Sequence, residues 1–369
     1  MSQKGNYKIC LVGECLSGGG AEKAMAMLSG FFTANGIDVH IVTVVDSIVY
    51  PYSGTLLNLG RSKNNSNDPI NKFSRFMKLK AYLDKNRFDY IIDFRIRVSF
   101  MQEYLISRIL YNSPTIYTVH SSMLDLYFPK SRWQSLAIYK FAAGIVAVSD
   151  AIESMIKSEY QLNNTETIHN PVDIQAIQKS ALEETGIEYK YILAVGRMKD
   201  NIKQFDKLIT AYSKSALPEK NIKLVILGDG EDRIDIEKQI AAMHLSQNVI
   251  LKGFDKNPYP YMKNALFFVL SSKREGLPTV ILESLACGTP VVSFDCVSGP
   301  REMVIDRKNG LLVDDQNFEK LTEAIDLLAN DEVLYENCKR NAVESAERFS
   351  LEIIGNQWLE YLKIRKLAP

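Results

Sequence analysis

The stretch LFFVLSSKREGLPTVILESLACGTPVVSF, residues 266–294, decides the fold of this chain. LFFVLSS has the length and residue types of a buried strand, and KREG follows it as an exit loop. PTVILESLACG then carries a helix, with Pro278 suited to its first turn and Gly288 to its end, before TPVVSF supplies another apolar strand. Strand, helix and strand in this order form a parallel unit covered on its faces. Glu275 falls in the loop. Glu283 falls one to two turns inside the helix, where Val280, Ile281, Leu282 and Leu285 leave little exposed face. A carboxylate in such surroundings needs a partner. A helical rise of roughly 7–8 Å between the two is too large for sharing one proton or one metal. It suits gripping two ends of a polyol-rich ligand, with helix amides near 278–280 facing an anion. The competing reading is a pair of solvated surface carboxylates.

The same alternation runs through the chain. Before residue 170 the strand candidates are residues 7–13, 38–45, 55–59, 89–94, 115–120 and 144–149, with helical stretches such as AEKAMAMLSGFFTAN (21–35) between most of them. The pattern restarts after HNPVD (169–173) with strands at 191–196, 222–228, 248–253, 266–272 and 289–294. Asn170-Pro171 reads as a hinge, because proline disfavours the helical conformation in its predecessor. The expected fold class is therefore α/β: two doubly wound, Rossmann-like domains, 1–170 and 171–348, facing across a cleft, with a C-terminal helix in 349–369 that crosses back.

Composition narrows the function. With 369 residues, 46% hydrophobic and 24% charged, the chain suits two globular domains. Residues 1–170 hold 18 Lys and Arg against 14 Asp and Glu, and the remainder 26 against 30, so neither half is basic enough for nucleic acid. Five widely spaced cysteines form no ligand pattern and read as reduced thiols. The N-terminal apolar stretch is too short for a signal peptide, and no run approaches a membrane span. A cytoplasmic location is the expectation.

Three further motifs sit at strand ends. In AVGRMKDNIKQ (194–204), Arg197 and Lys203 bracket a strand-to-helix turn, with the helix expected from about Asn201. That pairing suits a diphosphate: arginine grips bidentately and lysine acts as a point charge. GECLSGGGAEKAM (13–25) places three glycines before a helix, which permits close approach by a ligand or simply a tight turn. It is not GxGxxG, so a nicotinamide-dependent dehydrogenase is disfavoured. His120 ends TIYTVHSS (115–122), where a ligand-facing and a structural role are both open.

Together GGGAEKAM, TVHS, HNPVD, GRMKDNIK, LGDGEDR, LKGF and E-GLPTVIL-E with SLACGTPVV make the chain resemble the family 4 retaining glycosyltransferases of GT-B fold, the bacterial polysaccharide- or oligosaccharide-assembly enzymes above all. The resemblance implies that Arg197 and Lys203 hold the nucleotide diphosphate, Glu283 the ribose and Glu275 the donor-sugar hydroxyls. It places Gly276, Leu277, Pro278 and Thr279 around the same ligand, and Phe254 offers its backbone to the base. His120 touches the donor sugar, and Gly19 and Gly20 border the phosphates. Catalytic roles fall to His120, Glu275, Arg197 and Lys203. Family members usually carry glycine where Gln204 stands, which leaves the shape of that turn open.

The implied donor is a nucleotide sugar, with UDP the habit of the family, and the acceptor a glycan, lipid-linked in the closest enzymes. An alternative is a catalytically weak, nucleotide-sugar-binding subunit of a complex. No metal or other cofactor is expected, because Arg197, Lys203 and helix N-termini neutralise the leaving diphosphate. Asp314-Asp315 reads as a helix cap rather than a metal pair. Arg95 and Arg97 bind an acceptor phosphate or are surface charges. The basic, apolar-interleaved segment 70–88 is a candidate peripheral membrane contact, against a solvated helix face. Acceptor contacts are expected from loops in 13–20, 46–70 and 95–130.

Overall fold

A computed structural model describes residues 7–64 and 68–365, so 65–67, within one expected acceptor loop, lie outside the description. The chain divides into two compact units, residues 1–171 with 351–369 and residues 172–350.

The first unit is built on seven strands: β1 (Lys8–Gly13), β2 (Asp38–Thr43), β3 (Thr55–Asn58), β4 (Tyr90–Asp93), β5 (Thr115–Val119), β6 (Gly144–Ala147) and β7 (Thr165–Thr167). They lie in the order β3-β2-β1-β4-β5-β6-β7, with every neighbouring pair parallel. Its helices are α1 (Gly20–Ala34), α2 (Pro69–Asn86), α3 (Phe100–Leu105, continued by a π-helical turn, Ile106–Leu110), α4 (Arg132–Tyr139) and α5 (Asp150–Tyr160).

The second unit holds β8 (Tyr191–Val195), β9 (Lys223–Leu227), β10 (Val249–Gly253), β11 (Phe268–Leu270), β12 (Val291–Phe294) and β13 (Gly310–Val313), in the order β10-β9-β8-β11-β12-β13 and again parallel. Around them stand α6 (Ile174–Ser180), α7 (Phe205–Lys214), α8 (Arg233–Ala242), α9 (Tyr259–Asn264), α10 (Thr279–Ala286), α11 (Pro300–Met303), α12 (Phe318–Asn330) and α13 (Glu332–Glu347). The last helix, α14 (Leu351–Tyr361), returns to the first unit. Two Rossmann-like domains result, as the alternating pattern predicts.

Burial explains the elements. Ile9, Cys10, Leu11 and Val12 are all sealed from solvent, which requires a sheet covered on both faces. Helix α1 buries Met25, Leu28, Phe31 and Phe32, and α14 lays Ile354, Trp358 and Leu359 into the same core. Fully burying each such side chain contributes roughly 1.5–3 kcal/mol. Several helices begin on side-chain caps: Asp68 accepts from the Ile70 amide ahead of Pro69, and Ser149 from that of Ile152. Such caps are worth about 1 kcal/mol each.

The structure corrects several sequence expectations. Strands β7 (TET) and β13 (GLLV) were not foreseen, because TET has no apolar residue and GLLV is an apolar run of only three. The helix expected from Asn201 begins at Phe205 instead. Asp314-Asp315 does not cap α12. Asn317 does, accepting from the Lys320 amide, while Asp314 pairs with the Lys320 side chain at 2.5 Å.

Arg95 and Arg97 are neither surface charges nor open to an acceptor. Arg95 is buried and grips Asp93 with two bonds of 3.0 and 2.7 Å and Glu103 with one of 3.0 Å. Arg97 is 1% exposed and donates to Tyr139 Oη and to the carbonyls of Asp93, Arg95 and Thr118. Tyr117 and Tyr127 lie within 5.2 Å of its guanidinium carbon. Carbonyls at strand ends need donors, and Arg97 supplies them, while Arg95 neutralises the buried carboxylates of Asp93 and Glu103.

Candidate functional site

In the second unit the strand order reverses between β8 and β11. Loops at the carboxyl ends of strands flanking such a point form the ligand crevice of doubly wound sheets. The loop after β8 carries Arg197 and Lys203, and the loop after β11 carries Glu275 through Pro278. The two meet: Lys203 Nζ lies 2.6 Å from Glu275 Oε1, with side chains only 19% and 14% exposed.

Backbone packing sets this meeting. The Lys203 stem runs over Gly196, where any Cβ would stand 2.9 Å from Lys203 Cε. A Cβ at Gly228, after β9, would stand 1.9 Å from the Gly196 carbonyl oxygen, so that turn fits only as glycine, while a side chain at 196 would push the Lys203 stem aside. The Gly228 amide in turn donates to Gly253 O at the end of β10, ahead of Phe254, whose ring is exposed. On the other side, Ser271 Oγ donates to Lys203 O at 2.7 Å, and the Lys273 amide to Ile202 O at 2.9 Å. Ser298 Oγ, in the loop after β12, clamps Gly276 O at 2.7 Å. Loops from β8, β9, β10, β11 and β12 thus hold one another around the ion pair.

The segment Gly276-Leu277-Pro278 is buried and leads into α10, whose first residue is Thr279 and whose N-cap is Pro278 itself. Glu283, one turn on, is 6% exposed. Arg197 is exposed at the turn beside the Lys203 stem. Behind the pair, burial and then the Glu275 carboxylate push the Cys296 thiol up to about 12, so it stays protonated. Neither Ser271 nor Ser298 was singled out from sequence. Their signal was position alone, a hydroxyl just past an apolar strand.

Gln204 explains a departure noted above. Its backbone is left-handed (φ 50°, ψ 44°), a conformation that glycine adopts freely and glutamine does not. The side chain is buried, and with its amide nitrogen facing the Ser271 carbonyl at 3.1 Å it also meets the Gln316 amide at 2.9 Å. Gln204→Gly relieves about 1 kcal/mol of backbone strain. It also strips a buried carbonyl of its donor, worth about 1–3 kcal/mol. The expected net loss is about 1 kcal/mol, a fall of roughly 2–4 °C in the melting of the second unit. An unchanged or raised melting temperature would show that the amide fastens nothing.

The remaining sequence candidates lie in the first unit. Gly19 caps α1 with extended backbone, and Gly20 begins it, but the Glu22 side chain folds back over Gly19. An anion approaching these amides therefore has to displace a carboxylate. His120 stacks on Phe94 and places Nε2 2.9 Å from Thr118 Oγ1. Because that hydroxyl donates to Asp93 O at 3.1 Å, Nε2 carries the proton. Nδ1 is sealed from solvent above a cavity of about 10 Å³ lined by Asn170 and Trp358. Burial, with Arg97 second, pushes its pKa down to about 3, so the ring is neutral. In this pose no ring nitrogen faces solvent.

Two family descriptions match the chain: "Glycosyltransferase Family 4" over residues 18–176 and "Glycosyl transferases group 1" over 177–345. A Campylobacter jejuni N-acetylgalactosamine-N,N'-diacetylbacillosaminyl-diphospho-undecaprenol 4-alpha-N-acetylgalactosaminyltransferase is 29% identical over 94% of this chain and 97% of its own length. An amylovoran biosynthesis glycosyltransferase of Erwinia amylovora is 22% identical over 96% and 99%. Among solved structures, Anabaena HepE in complex with UDP and glucose superposes with a TM-score of 0.77 at 19% identity, over 97% of this chain and all of that one. A Rickettsia africae glycosyltransferase gives 0.78 at 18%, over 98% of both.

Proposed function

The chain belongs to the family 4 glycosyltransferases of GT-B fold; from that premise we propose that it serves cell-surface polysaccharide assembly and moves a sugar from a UDP-sugar to a lipid-linked glycan acceptor, with retention and without a metal ion. One observation carries this reading. Lys203 and Glu275, 72 residues apart, are held 2.6 Å from each other at the switch point of the second sheet, with exposed Arg197 alongside. Support for the acceptor class comes from the Campylobacter relative, whose name specifies a diphospho-undecaprenol substrate. The UDP bound to HepE supports the donor class.

Glycosyl transfer places negative charge on the departing diphosphate and positive charge on the sugar carbon. Lys203 and Arg197 take the role of fixed cations facing that diphosphate. Glu275 holds Lys203 in place before the donor arrives and then hydrogen-bonds sugar hydroxyls. Because its role here is to accept from sugar hydroxyls, Glu275 is not taken as the covalent nucleophile that retaining glycosidases use. The proposal is therefore attack from the departing diphosphate's own side, within an ion pair. Glu283 takes the ribose, and the Phe254 backbone the base.

The test is a panel of UDP-, GDP- and dTDP-sugars with a polyprenyl-diphosphate glycan, measuring nucleoside diphosphate release. Release from a UDP-sugar, unchanged by EDTA, is expected. No release from any donor, with no UDP binding by calorimetry, would sink the reading. Activity lost to EDTA and restored by Mg²⁺ would sink its metal-free part.

A further inference from the structure

The first unit carries an apolar strip that no element of the described chain covers. Trp133 is 63% exposed and Phe141 71%. They are the ends of a ladder of touching groups: Trp133 meets Phe100 at 5.4 Å, and Phe100 meets Tyr104 at 5.8 Å. The Arg108 guanidinium then lies 5.8 Å from the Tyr104 ring and 4.8 Å from that of Phe141. Met101, Leu105 and Ile109 add a second row at helical spacing on the same element, each at least 40% exposed. Globular proteins rarely leave a contiguous apolar surface of this kind without a partner.

The fringe of the strip is basic. Arg108 and Lys140 flank Phe141, and Lys130 and Arg132 are exposed at the Trp133 end. Between residues 96 and 141 the only acids are Glu103, buried against Arg95, and Asp125. Helix α2, which packs on the π-helical turn, carries exposed Phe73 and Met77 of its own. From this we infer that the face formed by α3, its π-helical continuation and α4 is a docking surface for an anionic bilayer, with Trp133 and Phe141 inserted at headgroup depth.

Residue chemistry selects this occupant. Tryptophan and phenylalanine beside arginine and lysine suit an interface that is apolar below and phosphate-rich above. A second copy of the chain is disfavoured, because a two-fold contact sets the same cations against one another. The inferred face does not include helix α2, the contact expected from sequence.

Vesicle sedimentation and tryptophan emission test the inference without any turnover. They separate its failure from that of the proposed reaction. Trp358 is 2% exposed, so a change in emission on vesicle binding reports Trp133. At low salt, vesicles of phosphatidylglycerol and phosphatidylcholine should co-sediment the protein and shift its emission to the blue, whereas phosphatidylcholine alone should bind it weakly. Trp133→Ser with Phe141→Ser should reduce partitioning at least tenfold, and Arg108→Gln with Lys140→Gln should abolish the preference for anionic lipid. All four side chains are exposed, and an unchanged thermal transition confirms the fold. Any one of three results overturns the inference: no binding at low salt, binding undiminished by the serine pair but lost in Phe73→Ser with Met77→Ser, or a self-association removed by the serine pair in a protein that ignores vesicles.

Discussion

Lys203→Ala should lower turnover at least about a hundredfold while leaving the thermal transition of the second unit nearly in place, and Arg197→Ala should do the same. A hundredfold loss corresponds to about 2.7 kcal/mol of transition-state stabilisation. One charge-assisted hydrogen bond to a developing oxyanion supplies about 1.5–3 kcal/mol, so losing one cation is enough. Stability is little affected, because Arg197 is exposed and neither side chain is a packed core group. Removing Lys203 does release Glu275, whose side chain is 14% exposed and can regain water. Pairing the alanine with Glu275→Gln removes the released charge and isolates its contribution. If both single variants transfer sugar at near-normal rates from saturating donor, the two cations do not face a diphosphate.

Much of this arrangement can be read in the sequence, for a physical reason. Parallel strands covered on both faces are near-continuous apolar runs, and ligand groups cluster at their carboxyl ends. YILAVG followed by Arg197 and LFFVLSS followed by Glu275 therefore locate both halves of the site. What the sequence does not contain is their pairing, because register and loop packing bring together residues 72 positions apart. Gln204 could be marked as a departure, but its left-handed backbone and its contact with Ser271 appear only in three dimensions. Arg95 and Arg97 were misread because a charged residue after a strand looks solvated unless its partners are known. Here the partners, Glu103, Tyr117 and Tyr139, lie on later elements. The 70–88 segment drew attention by its cations. The stronger apolar surface on α3 and α4 was hidden because exposure is not written in residue type.

That misread cluster carries the largest expected effect on stability. Arg95→Met should destabilise the first unit by about 3–5 kcal/mol at pH 7, the usual result of breaking a buried pair by removing one partner. Asp93 is fully sealed and Glu103 is 2% exposed, so neither regains water when the guanidinium is gone. The pH dependence has a definite sign. Burial alone would raise Asp93, but Arg95 and Arg97 outweigh it and hold the carboxyl below its usual range. Its contribution is thus present above the unfolded value and is lost as pH falls through the lowered one. Burial raises Glu103, with Arg95 opposing, so Glu103 already favours the acid side. In the variant both carboxyls rise above their unfolded values. The cost of burying them as anions is then complete at neutral pH and disappears on acidification. The stability gap between the two proteins should therefore narrow from pH 7 to pH 5. Urea unfolding followed by tryptophan emission measures it in the right place, because Trp133 and Trp358 both lie in the first unit. A loss below about 1 kcal/mol at pH 7, or a gap that widens toward pH 5, would mean that Arg95 does not neutralise this core.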